Sequence, residues 1–104
     1  FYSKQYSNEG ILFQDAIKKE FDNKNLDTSE FVIDGWIGKQ TRKYLFILLK
    51  TLNISEDEKK NITNSIESIS QNNFTKLEIE LLINYLEKLK KKYPKVYTTF
   101  IDLI

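Results

Sequence analysis

The stretch Val32-Ile33-Asp34-Gly35-Trp36-Ile37-Gly38 runs directly into Lys39-Gln40-Thr41-Arg42-Lys43-Tyr44-Leu45-Phe46-Ile47-Leu48-Leu49-Lys50-Thr51-Leu52. The first seven residues read as a compact loop. Glycine adopts positive φ at no steric cost, so Gly35 and Gly38, three apart, point to a tight double turn. Asp34 can accept from turn amides, and Thr41 can bond back to the loop from the first helical turn. Ile33 and Ile37 pin the loop to a core. From Lys39 to Leu52 the spacing is helical, with Tyr44, Leu45, Leu48, Leu49 and Leu52 on the core face. Phe46 and Ile47 widen that face, which marks this helix as central.

Upstream, Leu12, Phe13, Ala16, Ile17 and Phe21 fall on one face of a helix that begins near Glu9. Asp22-Asn23-Lys24-Asn25 stops it with turn formers. Leu26 to Phe31 could make a short helical turn capped by Asp27 or Thr28. Downstream, Ser55 with Glu58 and Thr75 with Glu78 have capping-box spacing. The first box opens a helix through Ile62, Ile66 and Ile69, ended by Gln71-Asn72-Asn73. The second opens the longest helix, with Ile79, Leu82, Ile83, Leu86 and Leu89 on one face. Pro94 disfavours helical geometry at Tyr93 and predicts a kink or a break there. A last helix then carries Val96, Tyr97, Phe100, Ile101 and Ile104. The expected fold is all-α: a small orthogonal bundle of five or six helices around one core. We read residues 1–104 as one domain, with 9–52 its central part and 55–104 a helical extension.

Composition narrows function by exclusion. The 104 residues carry 16 basic and 15 acidic side chains, a net charge of +1, without the basic excess of a nucleic-acid binder. Lys88, Lys90, Lys91, Lys92 and Lys95 form the densest basic run, which reads as a solvated helix end that complements the helix dipole. The absence of Cys and His removes thiol chemistry, imidazole catalysis and the usual zinc ligands. No cofactor or metal is expected. No apolar run approaches the roughly 20 residues of a membrane span. The chain opens on Phe1 and shows no signal peptide, which we read as a fragment or processed product of a longer protein.

Phe13-Gln14-Asp15-Ala16-Ile17 followed by Ile33-Asp34-Gly35-Trp36-Ile37-Gly38-Lys39-Gln40-Thr41 resembles the signature of peptidoglycan-binding-like domains of bacterial wall enzymes. The nearest version is similar to the C-terminal peptidoglycan domain of phage-type muramidases, whose long helix, Pro and short aromatic segment Leu81 to Ile104 resembles. Lys39 stands where that family usually has Pro. The resemblance implies a non-catalytic module for peptidoglycan glycan or peptide stems, located in the bacterial cell envelope or periplasm. It implies a parent that is itself a wall hydrolase. Gln14, Ala16, Asp34, Gly35, Gly38 and Thr41 would be its structural motif.

Candidate ligand residues are Trp36, Lys39, Arg42 and Lys43. Trp36 either caps the core beneath the loop or offers a ring that stacks on sugar. Lys39, Arg42 and Lys43 open a helix whose free amides already attract anions, so they could hold wall-peptide carboxylates, or they are ordinary surface charge. Glu9-Gly10 resembles a muramidase Glu-Gly-Gly only superficially, because Ile11 follows. No carboxylate pair stands out, and no catalysis is expected. The rival reading is a helical adaptor for a protein partner. Its interface would be Tyr44–Leu49 and the basic tail; Tyr85, Tyr93, Tyr97 and Phe100 read as core packing, and would mark a partner site only if they lay at the surface.

Overall fold

Ser7 opens the first helix: its side chain accepts from the Gly10 amide at 3.0 Å, which satisfies one of the four amides a helix start leaves open. The computed structural model describes residues 6–69 and 75–103. Helix α1 spans Asn8–Asn23. At its end Asn25 takes the left-handed conformation, with φ of 57°. The Leu26 amide then reaches Phe21 O at 3.0 Å and the Asn25 amide reaches Asp22 O at 3.1 Å. This is a Schellman closure built by the turn formers at 22–25.

Residues 26–31 form no helix, but a single hydrogen-bonded turn stands there with Asp27 at its head. Asp27 Oδ1 accepts from the Ser29 amide at 2.9 Å, and the Phe31 amide donates to Thr28 O at 3.0 Å. A short acidic side chain that captures a nearby amide competes with helix formation. The turn delivers Phe31 to the core, where its ring stacks on Tyr44 with centroids 4.7 Å apart.

Helix α2, Lys39–Leu49, buries Leu45, Phe46, Leu48 and Leu49 completely. Each contributes about 1.5–3 kcal/mol by leaving water. Helices α3 (Glu56–Glu67) and α4 (Lys76–Asn84) both begin with the capping boxes read from the sequence, Ser55 with Glu58 and Thr75 with Glu78. α3 fully buries only Ile62. The Gln71-Asn72-Asn73 stop and Ile104 lie outside the described residues.

The long helix expected from Thr75 to Pro94 is two helices. Helix α5, Leu86–Lys92, is separated from α4 by Tyr85, whose φ and ψ are −111° and 6°. Its amide bonds Leu82 O, three residues back, while its carbonyl starts the next helix by accepting from Leu89 N. The interruption changes which side chains enter the core. Ile79, Leu82, Tyr85 and Leu89 are buried, whereas Ile83 is 54% exposed. Neither Pro nor Gly marks this site. The second break falls where Pro94 predicts it, and α6 runs Pro94–Leu103.

One apolar cluster joins all six helices, from Phe13 through Leu48 and Ile62 to Leu103. α1 packs most extensively on α6, with Phe13 and Phe100 rings 6.0 Å apart. The first and last helices therefore share one interface. Leu12 and Ile101, both read as core-facing, are exposed. The apolar run Tyr44–Leu49 is almost wholly interior, with only Ile47 exposed and Tyr44 half-buried, so it cannot be the partner surface of an adaptor. Tyr85, Tyr93 and Phe100 are buried as well, which removes the aromatic group as an open face. Lys88 and Lys92 of the basic run donate to Asn53 O and Thr51 O, closing the chain just after α2. Lys24 and Lys92 also sit over the Tyr93 ring.

Glu58 connects α3 to the α4–α5 junction. The Ser55 amide, and then the Tyr85 hydroxyl, hold its carboxyl below the ordinary value of 4.5. A carboxylate favoured in the fold stabilises above its unfolded value, and that contribution disappears as pH falls through the folded value. The urea midpoint should therefore fall below about pH 4.5. Glu58→Gln should lower stability at neutral pH and flatten that acid limb. Parallel pH profiles of the two proteins would exclude this role.

Candidate functional site

Gln14 is 99% buried inside α1, and its amide is the point on which the glycine loop is built. Its Oε1 accepts from the Asp34 amide at 3.0 Å and the Gly35 amide at 2.7 Å. Its Nε2 donates to Trp36 O at 2.9 Å and Thr41 Oγ1 at 3.0 Å, with Asp34 Oδ1 at a longer 3.3 Å. A primary amide has two donors and one doubly accepting oxygen, so Gln14 is used to capacity. Asp34 Oδ1 also accepts from the Trp36 amide at 2.9 Å, an Asx turn that sets the loop's direction. Thus Thr41, expected to bond back to the loop itself, is joined to it through Gln14.

The loop lies against the start of α1 without room for side chains. A Cβ on Gly10 would fall 2.2 Å from Gly35 O, and one on Gly35 would fall 2.7 Å from Ser7 O. Gly35 also has φ of +85°, so both its missing side chain and its backbone freedom are used. Gly38 differs from the expected double turn. Its φ is −96°, in extended geometry, and a Cβ there would meet only the Trp36 ring at ordinary contact distance. Gly38 acts as the N-cap of α2 with no side-chain bond, and α2 has no acidic residue in its first turn. Ala16 packs in the core beside Gln14, and Ile37 is fully buried beneath the loop.

Trp36 combines both readings of its role. It is half-buried, and its indole N–H lies inside with no hydrogen-bond acceptor among the described residues. Its ring stacks on Tyr6, with centroids 5.9 Å apart and planes 28° from parallel. Trp36 lines a depression of about 290 Å³ together with Val32, Asp34, Lys39 and Gln40, and the buried Gln14 and Thr41 complete it. Gln40 is tied to the loop by donating to Glu30 O.

The four proposed ligand residues do not form one surface. Lys39 is exposed and lines the Trp36 depression. Lys43 is exposed and lines a neighbouring groove that Lys39 shares, with Glu30, Tyr44 and Ile47. Arg42 is not at the surface: it is fully buried, and its Nε bonds Glu78 Oε2 at 2.7 Å, with Nη2 at 3.5 Å from Oε1. It cannot reach a wall carboxylate, because its guanidinium already grips one that α4 provides. Glu78 does double duty, since its Oε1 also accepts from the Thr75 amide in the capping box. Lys39 and Arg42 are three apart, but Arg42 alone of the two meets Glu78 of α4. That element is distant in sequence, and periodicity alone does not reveal it.

Val32 and Gln40 line the depression and Tyr6 stacks on the Trp36 ring beside it, and none of the three carries a motif signal. Tyr6 lies in the polar lead-in, and its place beside Trp36 depends on the contact between Ser7 and Gly35. No protein-family model, curated protein or solved structure matches this chain.

Proposed function

We propose that this chain is a non-catalytic binding module for bacterial cell-wall peptidoglycan, working in the cell envelope as part of a larger wall-active protein. The observation that carries the reading is the convergence of the motif on one amide. Gln14, Asp34, Gly35 and Thr41, which carry the resemblance to peptidoglycan-binding-like domains, meet in a single hydrogen-bonded unit. That unit fixes a loop on a rigid helical scaffold, the arrangement in which binding residues concentrate. It presents Trp36 and Lys39 at one depression, with an aromatic surface and a cation side by side. Arg42 has no part in the ligand face, and Lys43 borders it.

Such a small surface supports weak affinity, on the order of micromolar to millimolar, raised by avidity on a polymeric wall. In a pull-down with purified sacculi, the wild-type chain should pellet. Trp36→Ala with Lys39→Ala should remove most of the pelleted fraction while circular dichroism shows unchanged helix content. Full binding by that folded double variant would place the site elsewhere. An adaptor function would take precedence if sacculi never pellet the chain and light scattering shows a stable complex with a protein partner.

A further inference from the structure

We propose that the Trp36 depression takes the N-acetylated sugar strand of the wall rather than its peptide stems, and that Tyr6 is the second ring of the sugar platform. This rests on the wall-binding reading and narrows it to one chemical component. A peptide stem presents carboxylates and would need a concentration of cations. The depression has none: Lys39 is balanced by Asp34 across the same small space, and the remaining lining is uncharged. Arg42, the side chain best shaped to clamp a carboxylate, is spent on Glu78 in the interior. Lys43 lies in the adjoining groove, which Lys39 also lines and where Glu30 offsets the positive charge.

What the depression does offer suits a neutral, hydroxyl-rich ring. Tyr6 lies outside the lining of the depression, but it is 68% exposed with its ring stacked on Trp36, so it extends the aromatic surface beside the depression. Aromatic rings contribute contact area with little conformational entropy to lose, and their faces stack on the C–H side of a sugar. Tyr6 itself is set by local backbone, with φ of 53° just before the Ser7 cap. Asp34 uses Oδ1 inside the loop and has no protein hydrogen bond on Oδ2 among the described residues, which leaves that oxygen to accept from sugar hydroxyls. Val32, 57% exposed on the same rim, gives an acetamido methyl an apolar contact. The volume of about 290 Å³ suits a short segment of chain at the small end of ligand sites.

Trp36 is the only tryptophan, so its fluorescence reports this site alone. A soluble chito-oligosaccharide titrated into the whole chain should produce a saturable change in emission. Tyr6→Ala should weaken that binding about tenfold, and Tyr6→Phe should restore it, as expected of ring stacking rather than of the hydroxyl. Lys43→Ala should bind the sugar as the wild type does. Equal affinity for wild type and a folded Tyr6→Ala would overturn the role of Tyr6. No response to millimolar chito-oligosaccharide from a chain that still pellets with sacculi would overturn the sugar assignment and leave wall binding intact. A synthetic stem peptide that saturates the Trp36 signal in its place would do the same. Failure with both the sugar and the sacculi would remove the wall-binding reading and this inference together.

Discussion

Replacing Arg42 by Met should cost about 3–5 kcal/mol, because it strands the Glu78 carboxylate in a site built around a cation. The two side chains are 0% and 8% exposed, and their closest approach is 2.7 Å. Taking both charges out of water is itself unfavourable, so the pair adds little compared with an apolar substitute. The asymmetry lies in removing one partner only. The single change should shift the urea midpoint strongly downward. Adding Glu78→Gln to Arg42→Met should recover most of the loss. A neutral amide no longer needs a counter-charge, and its oxygen can still accept from the Thr75 amide of the capping box. A loss under about 1 kcal/mol for Arg42→Met would mean that water reaches Glu78 and that the pair is not interior.

Gln14→Ala should be similarly damaging, about 3–4 kcal/mol, through a different mechanism. The Asp34 and Gly35 amides lose their acceptor, and Trp36 O and Thr41 Oγ1 lose their donor. Each buried polar group left unmade costs about 1–3 kcal/mol, discounted here because the Asp34 and Trp36 ends of the loop reach solvent. Gln14→Glu should give no rescue at neutral pH. It keeps the acceptors for Asp34 and Gly35 but sets a carboxylate against Asp34 Oδ1 and Trp36 O, neither of which can donate. Amide exchange should show the difference between the two sites. Gln14→Ala should accelerate exchange first at 34–38, whereas Arg42→Met should loosen the contact between α2 and α4. Unchanged protection of the Gly35 amide in Gln14→Ala would refute the hub.

The features readable along the chain are those whose cause lies within a few residues. Ser55 with Glu58 and Thr75 with Glu78 form their capping boxes because donor and acceptor are three residues apart. Pro94 breaks the helix because it lacks an N–H, and the turn formers at 22–25 close α1 for equally local reasons. Gly35 takes positive φ as its place after Asp34 predicts, but Gly38 does not, since a helix N-cap in extended geometry needs no glycine freedom.

Side-chain destinations are another matter. Gln14, Asp34 and Thr41 have the right identities for a shared network, but only the crossing of α1 beside the loop brings residues 20 and 27 positions apart together. Tyr85 interrupts a periodic helical stretch because the interior accepts its ring in place of Ile83. The α-helical class, the caps and the glycine loop follow from local hydrogen bonding and backbone sterics, which each short segment carries with it. The tertiary structure alone decided that Arg42 belongs to the core and that Tyr6 stacks on Trp36. Burial depends on which distant element arrives to cover a face: Glu78 lies 36 residues beyond Arg42, and Trp36 lies 30 beyond Tyr6.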